Sequence, residues 1–313
     1  MNVCFAFAIV GALSGPLTWH RVAAPVAPPA RAAHAMAYDP VSGKVLLFGG
    51  FGPRRTYFAD TWTFDGRLWT RLRPTSSPSP RAAPSMAYDE VMHQLVLYGG
   101  YDGSRYLSDT WIWDGATASW TEAHPETAPD PATGPVGFTD PRTGHAMMFG
   151  GYDGIAYHQR TWQWTGSDWA ELSPATVPAG RGAGTATLDA VRREVMMFGG
   201  IGASDTGGTW LWDGVDWRRA ATSTEPRLRY FATSAFEPIF GTVVLFGGAA
   251  GRIEFGDTWG WNGAAWRREA PVRIPAPRDS AGMAYDPVRS RIVMFGGLSN
   301  RRLLADTWVF IPR

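Results

Sequence analysis

Apolar residues in this chain gather in short, unbroken runs rather than at helical spacing. The clearest is Val45-Leu46-Leu47-Phe48-Gly49-Gly50, which has no helical period and closes on a glycine pair. The run returns at residues 95–100, 146–151, 195–200, 243–248 and 292–297. The aromatic residue before each glycine pair is Phe48, Tyr98, Phe149, Phe198, Phe246 or Phe295, at steps of 50, 51, 49, 48 and 49 residues. A fixed period of that size marks a repeat architecture, in which each unit buries its faces against its neighbours.

Each unit reads as four short strands, a to d, bounded by turn residues. Strand a starts 17 residues before the aromatic of strand b, at Arg31, Arg81, Ala132, Arg181, Arg229 or Arg278. An acid follows eight residues later: Asp39, Asp89, Asp140, Asp189, Glu237 or Asp286. Strand c carries Trp62, Trp111, Trp162, Trp210, Trp259 or Trp308. Strand d carries Trp69, Trp120, Trp169, Trp217 or Trp266. The sixth unit stops after strand c, but Trp19 lies 12 residues before Arg31, at the strand d spacing. The segment around Thr18-Trp19-His20 is therefore expected to supply the missing strand and close a ring, which removes the open edge of a linear stack.

A strand ending in Gly-Gly, a spaced aromatic and a tryptophan, repeated about every 50 residues, resemble the kelch repeat. The resemblance covers roughly residues 16–313. It implies an all-β fold: a six-bladed β-propeller of four-stranded antiparallel blades, closed by an N-terminal strand completing the last blade. Strand a would lie innermost around an axial channel. The units expected are 31–80, 81–131, 132–180, 181–228, 229–277, and 278–313 with 16–22.

Composition narrows the partners. The net charge of +1 gives no electrostatic case for nucleic acid or an anionic membrane. The lone cysteine, Cys4, allows no intrachain disulfide and no cysteine metal site. The apolar run 3–13 is too short to span a bilayer. With Ala12-Leu13-Ser14 before Gly15, residues 1–15 read as a secretory leader or an apolar tail, although no basic residue precedes the run. Secreted or periplasmic residence is expected, and cytoplasmic residence otherwise.

All 16 tryptophans fall on repeat positions, so they read as packing between blades rather than as a carbohydrate platform. Binding chemistry is expected on the face that carries the d–a and b–c loops, called the top. The b–c loops hold Arg54, Tyr57, Arg105, Tyr106, Tyr157, His158, Arg252, Glu254 and Arg301. The strand a arginines admit two readings. They could ring the channel mouth as an anion clamp, or each could pair with the acid opening strand c: Asp60, Asp109, Asp257 or Asp306. Unit three lacks both members, with Ala132 and Arg160, which favours pairing. Unit four keeps Arg181 but has Gly208 for the acid, so Arg181 is the better ligand candidate unless Asp205 compensates. Arg229 and the out-of-step residues Tyr230, Phe231, His158, Arg160 and His34 complete the candidates.

No metal motif, phosphate loop or cofactor fingerprint is present. The copper oxidases of the galactose oxidase type need a cysteine in the propeller, and this one has none. The expected function is a non-catalytic binding module, acting as a monomer, for a protein, peptide or glycan of anionic character. The alternative is a carbohydrate-active enzyme resembling the six-bladed sialic acid mutarotases, with Arg181, Arg229, Glu254 and His158 supplying its residue types. No catalytic residue, cofactor or metal is assigned.

Overall fold

The computed structural model describes residues 18–203 and 207–311. The expected leader and Asp205 lie outside the described residues. Six four-stranded antiparallel sheets form the blades, each in the order a, b, c, d. The first blade runs Ala35–Asp39, Lys44–Phe48, Thr61–Phe64 and Trp69–Leu72. The other strands a are Ser85–Asp89, Val136–Thr139, Thr185–Asp189, Thr233–Glu237 and Gly282–Asp286. Successive strands a pack side by side and form the inner wall. The only helical element among the described residues is the 3-10 turn Pro53–Arg55.

Strand b shows why its apolar run has no alternation. Leu46 and Phe48 face the second blade, while Val45 and Leu47 face the sixth. Both faces of the strand are buried, so both must be apolar. The same rule produces six hydrophobic clusters, one at each interface between neighbouring blades.

The strand d tryptophans tie one blade to the one before. The indole N–H of Trp69 donates to Thr307, that of Trp120 to Thr61, Trp169 to Thr110, Trp217 to Thr161 and Trp266 to Thr209, at 2.7–3.0 Å. Trp19 occupies the sixth place in this cycle and donates to Thr258 at 3.2 Å. Its strand, Thr18–Val22, pairs antiparallel with Thr307–Ile311, with Trp19 opposite Phe310. The N-terminal strand therefore completes the last blade.

The glycine pair is the point where blades meet backbone to backbone. The N–H of Gly50 donates to the Arg81 carbonyl of the next blade at 2.8 Å. The same bond recurs from Gly100, Gly151, Gly200, Gly248 and Gly297. A Cβ on the first glycine would sit 2.2–2.7 Å from that neighbouring carbonyl oxygen, at a φ of +65° to +73°. Only glycine allows both the approach and the backbone conformation.

A second cycle closes the inner mouth. The N–H of Ala83 donates to Ala33, Gly134 to Ala83, Ala183 to Gly134, Phe231 to Ala183, Ser280 to Phe231 and Ala33 to Ser280, all at 2.7–2.9 Å. Each of the six residues has left-handed φ, between 48° and 64°. Five are not glycine, so the cycle holds a conformation that the isolated chain disfavours.

Replacing Trp19 by alanine removes a fully buried indole and its bond to the fifth blade. We expect a loss of about 3–5 kcal/mol in unfolding free energy, measured by guanidinium titration. A loss below about 1 kcal/mol, within the range of an ordinary surface change, would deny the N-terminal strand its closing role.

Candidate functional site

The strand a arginines are structural. Arg31 is fully buried and makes four kinds of contact. Its Nε donates to the Pro29 carbonyl, its Nη1 to the Gly49 carbonyl, and both Nη atoms to Asp60 at 2.6 and 2.8 Å. Its guanidinium also lies over Phe58, 4.1 Å from the ring centre. Arg81, Arg229 and Arg278 repeat the arrangement with Asp109, Asp257 and Asp306. This corrects the expectation for Arg229: it is 1% exposed and stacked on Phe255, and it presents no group to a ligand on the top face. Arg181 is likewise fully buried, donating to the Ala179 and Gly199 carbonyls. Burial removes it as a top-face ligand candidate.

Unit three replaces the missing arginine from its neighbour. Where the other units have an arginine Nε donating to the carbonyl two residues earlier, Tyr98 of the second blade donates its hydroxyl to the carbonyls of Asp130 and Pro129, at 3.0 and 2.5 Å. Tyr98 is the one tyrosine among six otherwise phenylalanine positions. Its hydroxyl is what the neighbouring unit needs.

Burial would push the carboxyl groups of Asp60, Asp109, Asp257 and Asp306 up. The arginine and indole hydrogen bonds outweigh it and hold all four below the usual carboxylate range.

His34 sits at the mouth of the axial channel, a cavity of about 170 Å³ lined mainly by strand a residues including Ser85, Thr185 and Ser234. It is 7% exposed, and neither ring nitrogen has a hydrogen-bond partner among the described residues. Burial, and after it the charge of Arg31, lowers its pKa to about 3. Phe231 belongs to the backbone cycle at the same mouth, and Tyr230 donates its hydroxyl to the Gly251 carbonyl at 3.2 Å.

The remaining candidates lie on the b–c loops in two groups. Over blades one to three, Tyr57, Tyr106 and Tyr157 come together with Tyr101 and Tyr152. Neighbouring ring centres are 6.0, 5.0, 5.8 and 4.6 Å apart in the order 57, 101, 106, 152, 157. Each ring is partly exposed. Arg54 is exposed three residues before the first of these tyrosines in sequence, and Arg105 is 80% exposed, 3.6 Å from Asp102. At the third blade, His158 lies 3.3 Å from Asp153 and 3.7 Å from Asp130, while half-exposed Arg160 reaches Asp130 and Glu171. Over blades five and six, Arg252 and Arg301 are exposed, and Glu254 accepts the Asn300 N–H at 2.8 Å.

Tyr101 and Tyr152 were not legible as site residues, because they hold a repeat position directly after the glycine pair. The signal lay in comparing units: that position reads Phe51, Tyr101 and Tyr152, then Ile201, Ala249 and Leu298.

Six kelch-like blades with these repeat contacts decide the family. A family model described as the KLHDC2/KLHL20/DRC7 Kelch-repeats domain matches residues 14–200. The chain belongs to the kelch-repeat family. No curated protein matches it. Kelch propellers typically serve as protein-interaction modules. Of the four residues named for the mutarotase-like reading, Arg181 and Arg229 are buried, and Glu254 and His158 make their contacts on separate loops. Among the described residues, no group of three or more His, Cys, Asp or Glu could hold a metal ion. No described helix is long and apolar enough to cross a membrane.

Three measurements check these assignments. Asp60→Asn leaves the fully buried Arg31 without its ion pair, and we expect a cost of about 3–5 kcal/mol. Because the four aspartates titrate lower in the folded state, the stability they contribute is present above the ordinary aspartate range. It is lost as pH falls through their folded values, so acid unfolding should steepen below about pH 4. His34 is shifted in the same direction, here because burial disfavours its charged form. Its unfolded form takes up a proton near pH 6.5 and its folded form only near 3, so stability falls as pH drops through that window. His34→Ala, the residue found at Ala232 and Ala281, should flatten the melting-temperature profile between those limits. A profile unchanged from the parent would contradict the assignment.

Proposed function

We propose that this kelch propeller is a non-catalytic docking module that binds a partner protein through the b–c loops of blades one to three. One observation carries the reading. The arginines that recur in five of the six blades are buried inside the fold, whereas partly exposed tyrosines and exposed Arg54, Arg55 and Arg105 gather over three adjacent blades. Aromatic side chains and arginine are the residues that dominate protein interfaces, and a rigid ring of blades holds them in place without further ordering cost. The exposed arginines favour a partner with acidic groups near blade one.

The test compares two charge-altered proteins. In one, Arg54, Arg55 and Arg105 are changed to glutamate. In the other, Val91 and Val191, exposed on the opposite face, are changed to glutamate. Partners captured from a lysate by the parent protein should be lost with the first variant and kept with the second. Retention by the first variant with loss by the second would place the docking face on the bottom.

A further inference from the structure

The tyrosine arc has a polarity and a rigidity that specify its ligand more narrowly, and this inference rests on the top face being the docking face. Each loop tip packs on the preceding blade's tyrosine. A Cβ on Gly103 would lie 2.7 Å from the Tyr57 ring, and one on Gly154 would lie 2.5 Å from the Tyr106 ring. The Tyr57 and Tyr106 rings are thus each held against the next blade's loop. Burial pushes the Tyr57 and Tyr106 phenols up, so both stay neutral hydrogen-bonding groups at physiological pH. The carboxylates along the arc are turned into their own loops. Asp102 accepts from the Ser104 and Arg105 N–H groups, and Asp153 from those of Ile155 and Ala156, all at 2.7 Å. Few side-chain acceptors remain for a row of sugar hydroxyls, which counts against a glycan.

The two ends of the arc differ in charge. Arg54 and Arg55 stand exposed at the blade-one end, both in left-handed backbone conformation. At the blade-three end Asp130, 53% exposed, and Asp153 stand around His158, and with Glu171 they outnumber the one arginine there, Arg160, which pairs with Asp130 and Glu171. We propose that the arc is a docking track for an extended, proline-containing segment of a partner protein, with its acidic end over blade one and its basic end over blade three. A polyproline II segment makes no internal hydrogen bonds, so its carbonyls are free to accept from phenol hydroxyls. Its rings pack on flat aromatic side chains, and it loses little entropy on binding.

The test uses fluorescein-labelled oligoproline peptides in an anisotropy titration. One carries glutamates at one end and lysines at the other, one carries glutamates at both ends, and one carries lysines at both ends. A glycine-serine peptide with the first charge pattern is the control. The bipolar oligoproline peptide should bind saturably and most tightly. Tyr106→Ala and Tyr157→Ala should each weaken it about tenfold, with Tyr106→Phe, which keeps the ring and the loop packing but loses the hydroxyl donor, falling between the parent and Tyr106→Ala. Changing Arg54 and Arg55 to glutamate should shift preference to the peptide with lysines at both ends.

Equal binding of the glycine-serine control, indifference to the tyrosine changes, or no saturable binding of any oligoproline peptide would overturn the proposal. So would saturable binding of an acidic oligosaccharide lost with Tyr106→Ala. If partner capture is lost with the arginine-to-glutamate protein while the peptides stay unbound, the docking face stands and this ligand class falls.

Discussion

The structure depends on backbone contact between neighbouring blades, closed into a circle. Each second glycine donates its N–H to the strand a carbonyl of the next blade, and six residues at the channel mouth pass one hydrogen bond around the ring. An isolated blade would leave these groups unpaired next to two apolar faces, and a buried unpaired backbone group costs about as much as a lost hydrogen bond. Closure answers both demands together. It also explains why the arginine recurs: its guanidinium holds the first glycine's carbonyl while its own carbonyl receives the preceding blade's glycine N–H. One side chain fixes the strand start against its own blade and, through its backbone, against the neighbour.

Closure also sorts the residues. Tryptophans, strand a arginines and strand c acids are taken up in contacts that recur from blade to blade, so they say little about a ligand. What distinguishes this ring from a symmetric one is its departures. Tyr98 supplies the hydroxyl that unit three needs in place of an arginine. His34 is held neutral by burial in a place where other blades have proline, glycine or alanine. The residues after the glycine pair are aromatic on one half of the ring and aliphatic on the other. Tyr98 serves the fold, His34 lines the channel mouth, and only the third departure reaches the surface as a contiguous feature.

The blade count, strand order and closing strand were legible in the sequence because they follow from spacing. Trp19 sits at the strand d interval, and the structure gives it the strand d bond to a strand c threonine. The Arg–Asp pairing was legible from the joint loss in unit three. The site was legible only in part. Tyr57, Tyr106 and Tyr157 stood out as loop aromatics, but Tyr101 and Tyr152 occupy a position that keeps step with the repeat, and the strand pairing that brings them alongside is three-dimensional. Burial was the other hidden quantity. Arg181 and Arg229 sit near the top in sequence order, yet both side chains turn inward against glycine carbonyls.

Amide hydrogen exchange at the channel mouth tests the closure most directly. The account predicts that the N–H groups of Ala33, Ala83, Gly134, Ala183, Phe231 and Ser280 exchange together, with protection equal to the global unfolding free energy. Rapid exchange at Ala33, whose N–H donates to Ser280 across the seam between the last blade and the first, with slow exchange at Gly134 and Ala183 would contradict it, because the ring would then open at that seam while the rest stays folded.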